Sequence, residues 1–459
     1  MQTNDFSNLP NSWQIKTLGE VCEITMGQSP LGEKVINKKQ NTNSKALEFH
    51  QGKICFTDKF ITESEVVTTD IRKVAQSNSI LLCVRAPVGI INITQRQIAI
   101  GRGLCALNFK DKNSNNDFLY FYLLTLKNYF NEKATGSTFS AINLDTIKNT
   151  KIPLPPLEIQ KCIVARLESA FEKIEKGSAH LQDAKTKLAK YKQSLLKSAF
   201  DGTLTAAASL QGVEKAETIH KVDCHKSANA NFHNDDKSVD CHDLTSSNLA
   251  MTDKENPKLP QGWTIKTLGE VCEINPKNKL DDDLEVSFIP MNLILDKFQN
   301  KFSYETKIWK NIKKGYTHFQ NNCIALAKIT PCFENGKCVI LDNLKNGYGA
   351  GTTELIILLP NLQETIAKYI FYFLNTQNFI EQGKRNFKGT AGQLRISADF
   401  VANCKIPLPP LETQKQIVKL LEKHLQHADK TGKFIESALN KAKQLKQSLL
   451  KSAFLGKLT

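Results

Sequence analysis

The sequence predicts an α+β protein in which two mixed α/β domains alternate with two long helical arms. Three observations carry that expectation. A helix-like segment occurs twice, the stretch that opens each domain occurs twice, and the residues enclosed between them differ in sequence yet share one order of patterns. Lys151-Ile-Pro-Leu-Pro-Pro-Leu-Glu158 returns letter for letter as Lys405 to Glu412, and Lys192 to Phe200 returns as Lys446 to Phe454, both at an offset of 254.

Within the first arm, Ile163, Leu167, Ala170, Ile174, Gly177, Leu181, Ala184, Leu188, Tyr191, Leu195 and Ser198 alternate at spacings of four and three, the seam of two helices lying side by side. The second arm carries the same frame from Ile417 to Ser452, with His424 and Thr431 weakening its middle. The simplest partner for one arm is the other arm of the same chain. Pro153, Pro155 and Pro156 favour extended backbone at the entry, and Pro156 fits the first helical turn. Gly202 and Gly456 suit the exit. About 43 residues lie between, a rod of roughly 65 Å at ~1.5 Å per residue. A bare coiled coil explains the heptad but not the duplication in front of it.

That duplication is Leu9-Pro10-Asn-Ser-Trp13 and Ile15 to Ile24, matched by Leu259-Pro260-Gln-Gly-Trp263 and Ile265 to Ile274, the latter decapeptides being identical. The frames enclose 126 residues (25–150) and 130 residues (275–404). Both inserts read as strand, turn, strand (Ser79 to Ile93; Cys323 to Leu341), then a glycine-rich loop before an apolar strand (Ile100-Gly-Arg102-Gly103; Gly347 to Thr353). Aromatic helical patterns follow (Phe118 to Phe130; Ile366 to Phe379), then a glycine and hydroxyl loop. With its frame, each insert has the size of an ordinary domain.

The chain of 459 residues is 41% hydrophobic and carries a net charge of +15. Residues 206–256 hold nine acids and five lysines, so the rest carries +19. A basic surplus on folded parts points to nucleic acid, although charge also serves solubility. No apolar run approaches the ~20 residues of a membrane span and no secretion signal is read at Met1 to Leu9, so a cytoplasmic protein without membrane contact is expected. Its 12 cysteines, without framework spacing, read as free thiols. Residues 206–256, with one aromatic, read as a flexible polar linker. Val222-Asp-Cys224-His225 recurs there as Val239-Asp-Cys241-His242; adjacent Cys-His pairs are poor zinc spacing, so a small tandem duplication is the simpler account and no metal is assigned.

With Lys-Ile-Pro-Leu-Pro-Pro-Leu-Glu-x-Gln opening each arm and Leu-Pro-x-x-Trp opening each domain, the chain resembles the specificity subunit of type I restriction-modification enzymes over nearly its whole length. Lys328-Ile-Thr-Pro-Cys-Phe-Glu-Asn-Gly336-Lys337 is similar to a strand and turn of that family's target recognition domains. The long linker departs from the pattern. The resemblance implies an α+β fold with two α/β target recognition domains, joined and separated by two long antiparallel coiled-coil helices related by a pseudo-twofold. The implied domains are recognition domain 1 (1–155), central helical spacer arm (156–205), linker (206–256), recognition domain 2 (257–409) and C-terminal arm (410–459). It also implies that each domain reads one half of a bipartite double-stranded DNA target, that the arms set the unread gap, and that two methyltransferase subunits dock, with two restriction or translocase subunits able to join. No catalysis and no cofactor is expected on the chain: methyltransferase, phosphate-loop and nuclease motifs are not found, and S-adenosylmethionine, ATP and Mg would belong to partner subunits.

The residues expected at DNA are those on hairpins and glycine loops, where forked or mobile donors can reach phosphate or base edges. They are Arg85 at a strand-to-turn junction, Arg102 between two glycines, Lys328 and Lys337 flanking the equivalent turn, and the basic group Arg385, Lys388 and Arg395. For any one of them, solvated surface charge without a partner is the simpler account. Gly136, Ser137 and Thr138, with Gly389 and Thr390, would admit a phosphate to backbone amides and hydroxyls, or form ordinary turns. Two rival readings stay open: a free-standing DNA-binding regulator and a coiled-coil scaffold without a DNA role.

Overall fold

A computed structural model of the chain describes residues 6, 9–111, 114–136, 140–205, 259–390 and 393–458. The linker expectation at 206–256, with its Cys-His pairs, lies outside them. The described chain divides into two compact units: residues 1–184 with 434–459, and residues 185–433. Two 44-residue helices, Leu157–Phe200 (the first arm) and Leu411–Phe454 (the second arm), each contribute to both units.

The duplicated sequences form duplicated structure because they meet each other. Strand β1 (Gln14–Thr17) pairs antiparallel with β11 (Lys151–Leu154), setting Ile15 opposite Pro153; β12 (Thr264–Thr267) pairs with β21 (Lys405–Leu408), setting Ile265 opposite Pro407. Thr17 and Glu20 close a capping box on the short helix Leu18–Val21, and Thr267 and Glu270 do so on Leu268–Val271. The glutamine of the arm-opening motif has a structural task. Gln160 donates to the Pro155 carbonyl at 2.8 Å and accepts from the Asn115 amide at 3.0 Å; Gln414 donates to the Pro409 carbonyl at 2.9 Å and accepts from Thr365 at 3.0 Å. Each glutamine thereby ties an arm to the start of its domain's aromatic helix.

Each insert is layered around a four-stranded sheet. In the first unit its order is β2 (Cys22–Met26), β10 (Leu104–Phe109), β7 (Ile80–Cys83), β8 (Ile91–Ile93); in the second it is β13 (Cys272–Ile274), β20 (Leu355–Pro360), β17 (Cys323–Ala327), β18 (Cys338–Leu341). The inner strands β7, β10, β17 and β20 are covered on both faces, which is why they are nearly continuous apolar runs, whereas the edge strands β2 and β13 each carry an exposed glutamate, Glu23 and Glu273. Ile80, Leu82, Cys105 and Leu107 face the helices and arm, whereas Leu81, Cys83, Leu104 and Ala106 face an outer sheet. That outer sheet is β3 (Val35–Asn37), β5 (Val66–Thr68), β4 (Leu47–His50), β9 (Ile98–Ile100), β6 (Val74–Ala75) in the first unit. In the second it is β15 (Glu305–Ile308), β14 (Glu285–Ile289), β19 (Tyr348–Gly351), β16 (Thr317–Gln320). In both, one parallel pair (β4 with β9; β14 with β19) sits at the centre of an otherwise antiparallel sheet.

The aromatic patterns are helices, Asn116–Thr125 and Lys127–Lys133 in one unit, Ala367–Leu374 and Gln377–Arg385 in the other. They supply a socket for the end of an arm. Phe454 lies edge-on to Phe118 and Tyr122, each at 5.1 Å, and Phe200 packs on Tyr369 at 5.0 Å and Phe373 at 5.4 Å. Gly456 and Gly202 leave the helix at φ of 71° and 81°, and a Cβ at either would collide with the ring of Pro10 or Pro260.

In both units the arms run antiparallel. In the first, Arg166 donates to the Leu458 carbonyl at 2.9 Å and Glu175 pairs with Lys446 at 2.7 Å. In the second, Lys192 pairs with Asp429 and the Tyr191 hydroxyl meets His424 Nδ1 at 3.3 Å. The heptad expected from sequence holds at Ile163, Leu167, Ile417, Leu421 and Ile435, which are buried. It fails at equivalent places in both arms: Gly177 and Thr431 are exposed, as are Tyr191 and Leu445. A helix of 3.6 residues per turn drifts ~20° per heptad from a strict seam, so the neighbouring Lys192 and Lys446 stems turn into the line.

Truncating Phe454→Ala is expected to destabilise the first unit by about 3–5 kcal/mol, with Phe200→Ala acting likewise on the second; calorimetry reads each as a lowered transition. A pH effect follows from Glu48, which accepts from Arg96 Nε at 2.7 Å, from the Ser64 amide at 2.7 Å and faces His50 at 2.6 Å. Burial works to raise this carboxyl, but those hydrogen bonds outweigh it and hold it at about 2, below its ordinary 4.5. Its stabilisation is therefore complete above about pH 4.5 and lost as pH falls toward 2. Glu48→Gln, which keeps the shape but weakens hydrogen bonds made to a charged group, should cost about 2 kcal/mol at neutral pH and flatten the acid limb of a melting-temperature profile.

Candidate nucleic-acid interface

In each insert three loops converge because the sheets end together. The turn after β7 is pinned when the Val84 amide donates to Gly103 at 3.0 Å, the Ala86 amide to Ser140 at 3.0 Å and the Ile142 amide to Val84 at 3.0 Å. The turn after β17 repeats the set: Lys328 to Glu354 at 2.9 Å, Thr330 to Leu394 at 2.9 Å and Ile396 to Lys328 at 3.0 Å. A fourth element is a 3-10 turn following the central parallel strand, Lys53–Cys55 in one domain and Met291–Leu293 in the other. It is closed by Phe56 donating to Lys53 at 2.9 Å and by Ile294 donating to Met291 at 3.4 Å. These bonds put Arg85 in the place of Ile329, Arg102 in that of Thr353, Gly103 in that of Glu354 and Ala141 in that of Arg395.

The first domain's loops form a cleft of about 160 Å³ lined by Gln51, Gly52, Lys53, Cys83, Arg85, Pro87, Arg102 and their neighbours. Three cations and no carboxylate line it. Arg85 is exposed, with no ion pair among the described residues; Arg102 is exposed and donates from Nε to the Ser29 hydroxyl at 3.3 Å. Two positions predicted separately from sequence therefore share one concavity, which favours a polyanion or a hydrogen-bond acceptor edge. Burial pushes the Cys83 thiol up to about 12, so it lines the cleft as a thiol rather than a nucleophile.

The glycine and hydroxyl loops border the same edges. Thr135 bridges Ala141 and Arg85 bridges Ala141, while Gly136 turns the chain at φ 129°. Ser137 and Thr138 lie outside the described residues. In the second domain Lys388 bridges Arg395 across the loop that carries Gly389, φ 123°, and exposed Thr390.

The second domain's chemistry differs. Arg395 grips Glu354 with both forks, Nε to Oε2 at 2.9 Å and Nη2 to Oε1 at 2.9 Å. The Arg395 hydrogen bonds hold the Glu354 carboxyl below its ordinary value. Lys337 turns inward: it donates to the Met291 carbonyl at 3.1 Å and faces Asp296 at 3.8 Å, so its ammonium fastens the 3-10 turn. Lys328 is half-buried, and its amide rather than its ammonium joins the framework. Arg385 and Lys388 are exposed, and Lys384 beside them pairs with Glu334 at 3.5 Å. Sequence reasoning missed Lys53, whose only signal is its place after Gly52 in a turn, and Glu354, whose partner lies 41 residues away.

Comparison with known proteins agrees with this architecture. The family described as the type I restriction modification DNA specificity domain matches residues 10–181 and 260–440, one match per repeat. The EcoAI and EcoEI specificity subunits of Escherichia coli are 43% and 41% identical to this chain. Those matches span 44% of this chain and 34% of each relative, about a third of their length. The StySPI specificity subunit of Salmonella potsdam is 21% identical over 98% of this chain and 90% of its own. Among solved structures, a chain from a study of complex assembly and conformational transition of the type I R-M system has a TM-score of 0.68 at 18% identity, covering 98% of this chain and 99% of that one. The crystal structure of the HsdS subunit from Thermoanaerobacter tengcongensis has a TM-score of 0.53 at 19% identity, covering 98% of each. A duplicated frame, two α+β inserts and a family match to both repeats together mean that this chain belongs to the specificity subunits of type I restriction-modification systems.

Proposed function

We propose that the chain selects the DNA sequence for a type I restriction-modification complex, one α/β domain reading one half of a split, asymmetric duplex target and the other domain reading the other. One observation carries this reading. A single hydrogen-bonded loop framework occurs twice, with a cationic cleft around Lys53, Arg85 and Arg102 in one copy and a Glu354–Arg395 pair in the other. Equal scaffolds with unequal chemistry suit two readers of different base sequences. Phosphate contacts supply affinity and fix orientation, and base edges supply the choice.

The arms act as spacer and as platform. Each is a 44-residue helix, ~66 Å at ~1.5 Å per residue, a length on the scale of the gap between two half-sites. Two methyltransferase subunits dock on the chain, and two restriction or translocase subunits join them; these partners bring S-adenosylmethionine, ATP and Mg. Residues 1–155 and 257–409 are the recognition domains, 156–205 and 410–459 the arms.

Expressed with its methyltransferase, the chain should direct methylation to one bipartite motif in a genome-wide methylation map, and replacing residues 25–150 should change one half of that motif alone. A map without a split motif refutes the reading. For Arg85→Ala with Arg102→Ala, equilibrium binding over a salt series should show the slope of log K against log salt shallower by roughly two, one unit per lost phosphate contact.

A further inference from the structure

We propose that the outward tip of the 3-10 turn is a base-reading position in each domain, with Ile54 contacting the methyl group of a thymine in one half-site and Asn292 pairing with an adenine in the other. The inference rests on the two-half-site reading above and sharpens it to one residue per domain.

The place of Ile54 is unusual for an isoleucine. It is 96% exposed, on the turn whose neighbours Gln51, Gly52 and Lys53 line the cleft with Arg85 and Arg102. A lone exposed apolar side chain needs no explanation by itself. This one stands beside three cations with no carboxylate among them, where charge complementarity selects a polyanion, so it would lie against the grooves of duplex DNA. An aliphatic side chain has no hydrogen-bonding group, and the one apolar feature on a base-pair edge in the major groove is the C5 methyl of thymine.

The counterpart turn makes the assignment specific. Both turns follow the central parallel strand of an outer sheet and are closed by the same amide-to-carbonyl bond, Phe56 to Lys53 and Ile294 to Met291. That alignment sets Ile54 against Asn292. Asn292 is also exposed, and its amide has no hydrogen-bond partner among the described residues. Its turn is held from behind, by Lys337 donating to the Met291 carbonyl at 3.1 Å, so the tip is presented on a fixed base. A carboxamide offers one donor and one acceptor in a plane, the complement of adenine N7 and N6. The framework is thus constant and its tip changes from aliphatic to amide, as two readers of unlike half-sites require.

The test uses the full chain in complex with its methyltransferase, comparing methylation rates on duplexes that carry every base substitution in the mapped motif. Ile54→Ala should reduce discrimination at a single T·A position of one half by about ten-fold and leave the other half intact. Asn292→Ala should do the same at a single A·T position of the other half. Ile54→Val, which keeps a branched apolar tip, should retain the wild-type preference. Unchanged motifs in both alanine variants, relaxation at a G·C pair, or loss of methylation on every duplex overturns the assignment. A wild-type complex that yields no split motif would instead overturn the recognition reading on which it rests, so the two failures are told apart by the wild-type map.

Discussion

The structure depends on burying the last turn of each arm in an aromatic socket. An amphipathic helix of 44 residues gains little by itself; its stability comes from what covers its apolar face. Phe454 enters the core that holds Phe118, Tyr122 and Ile163, and Phe200 enters the core that holds Tyr369, Phe373 and Ile417. In each unit the end of one arm and the start of the other therefore close on the same domain. The identity of Lys192 to Phe200 with Lys446 to Phe454 has this physical reason: both segments fill a socket made by two aromatics four residues apart on one helix face.

Charge then sets register where apolar contacts are thin. Glu175 pairs with Lys446, and Asp429, its equivalent at an offset of 254, pairs with Lys192, the equivalent of Lys446. The same pair of positions is therefore bridged within each unit. Each pair is largely solvent-exposed at its carboxylate, so each contributes at most about 1 kcal/mol. Their value is directional: a one-turn slip of either helix would separate acid from lysine in both units.

The inserts differ in sequence through strands, helices and loops alike, and their outer sheets have five and four strands, yet one frame recurs beneath that variation. The inner four-stranded sheets, the pinned turns and the arm sockets recur in both units, while Arg85 and Arg102 give way to Ile329 and Thr353, and a glycine–alanine pair becomes Glu354 with Arg395. Rigid strands hold the loops, and loops can alter their side chains without disturbing the cores behind them.

Much of this was legible in the amino-acid sequence. The repeats at fixed offset gave the alternation of domains and arms, the heptad gave the helices, and glycine punctuation located the loops, because backbone preference and periodicity are local properties. Arg85 and Arg102 were found as cations at turns by the same means. What only the tertiary structure decided were the pairings between distant residues: that Arg85, Arg102 and Lys53 share a cleft, that Glu354 occupies Arg395, that Lys337 points inward, and that Tyr191 and Leu445 rotate out of the seam. The orientation of a side chain is fixed by sheet register and helical drift summed over dozens of residues, and no local pattern in the sequence records that sum.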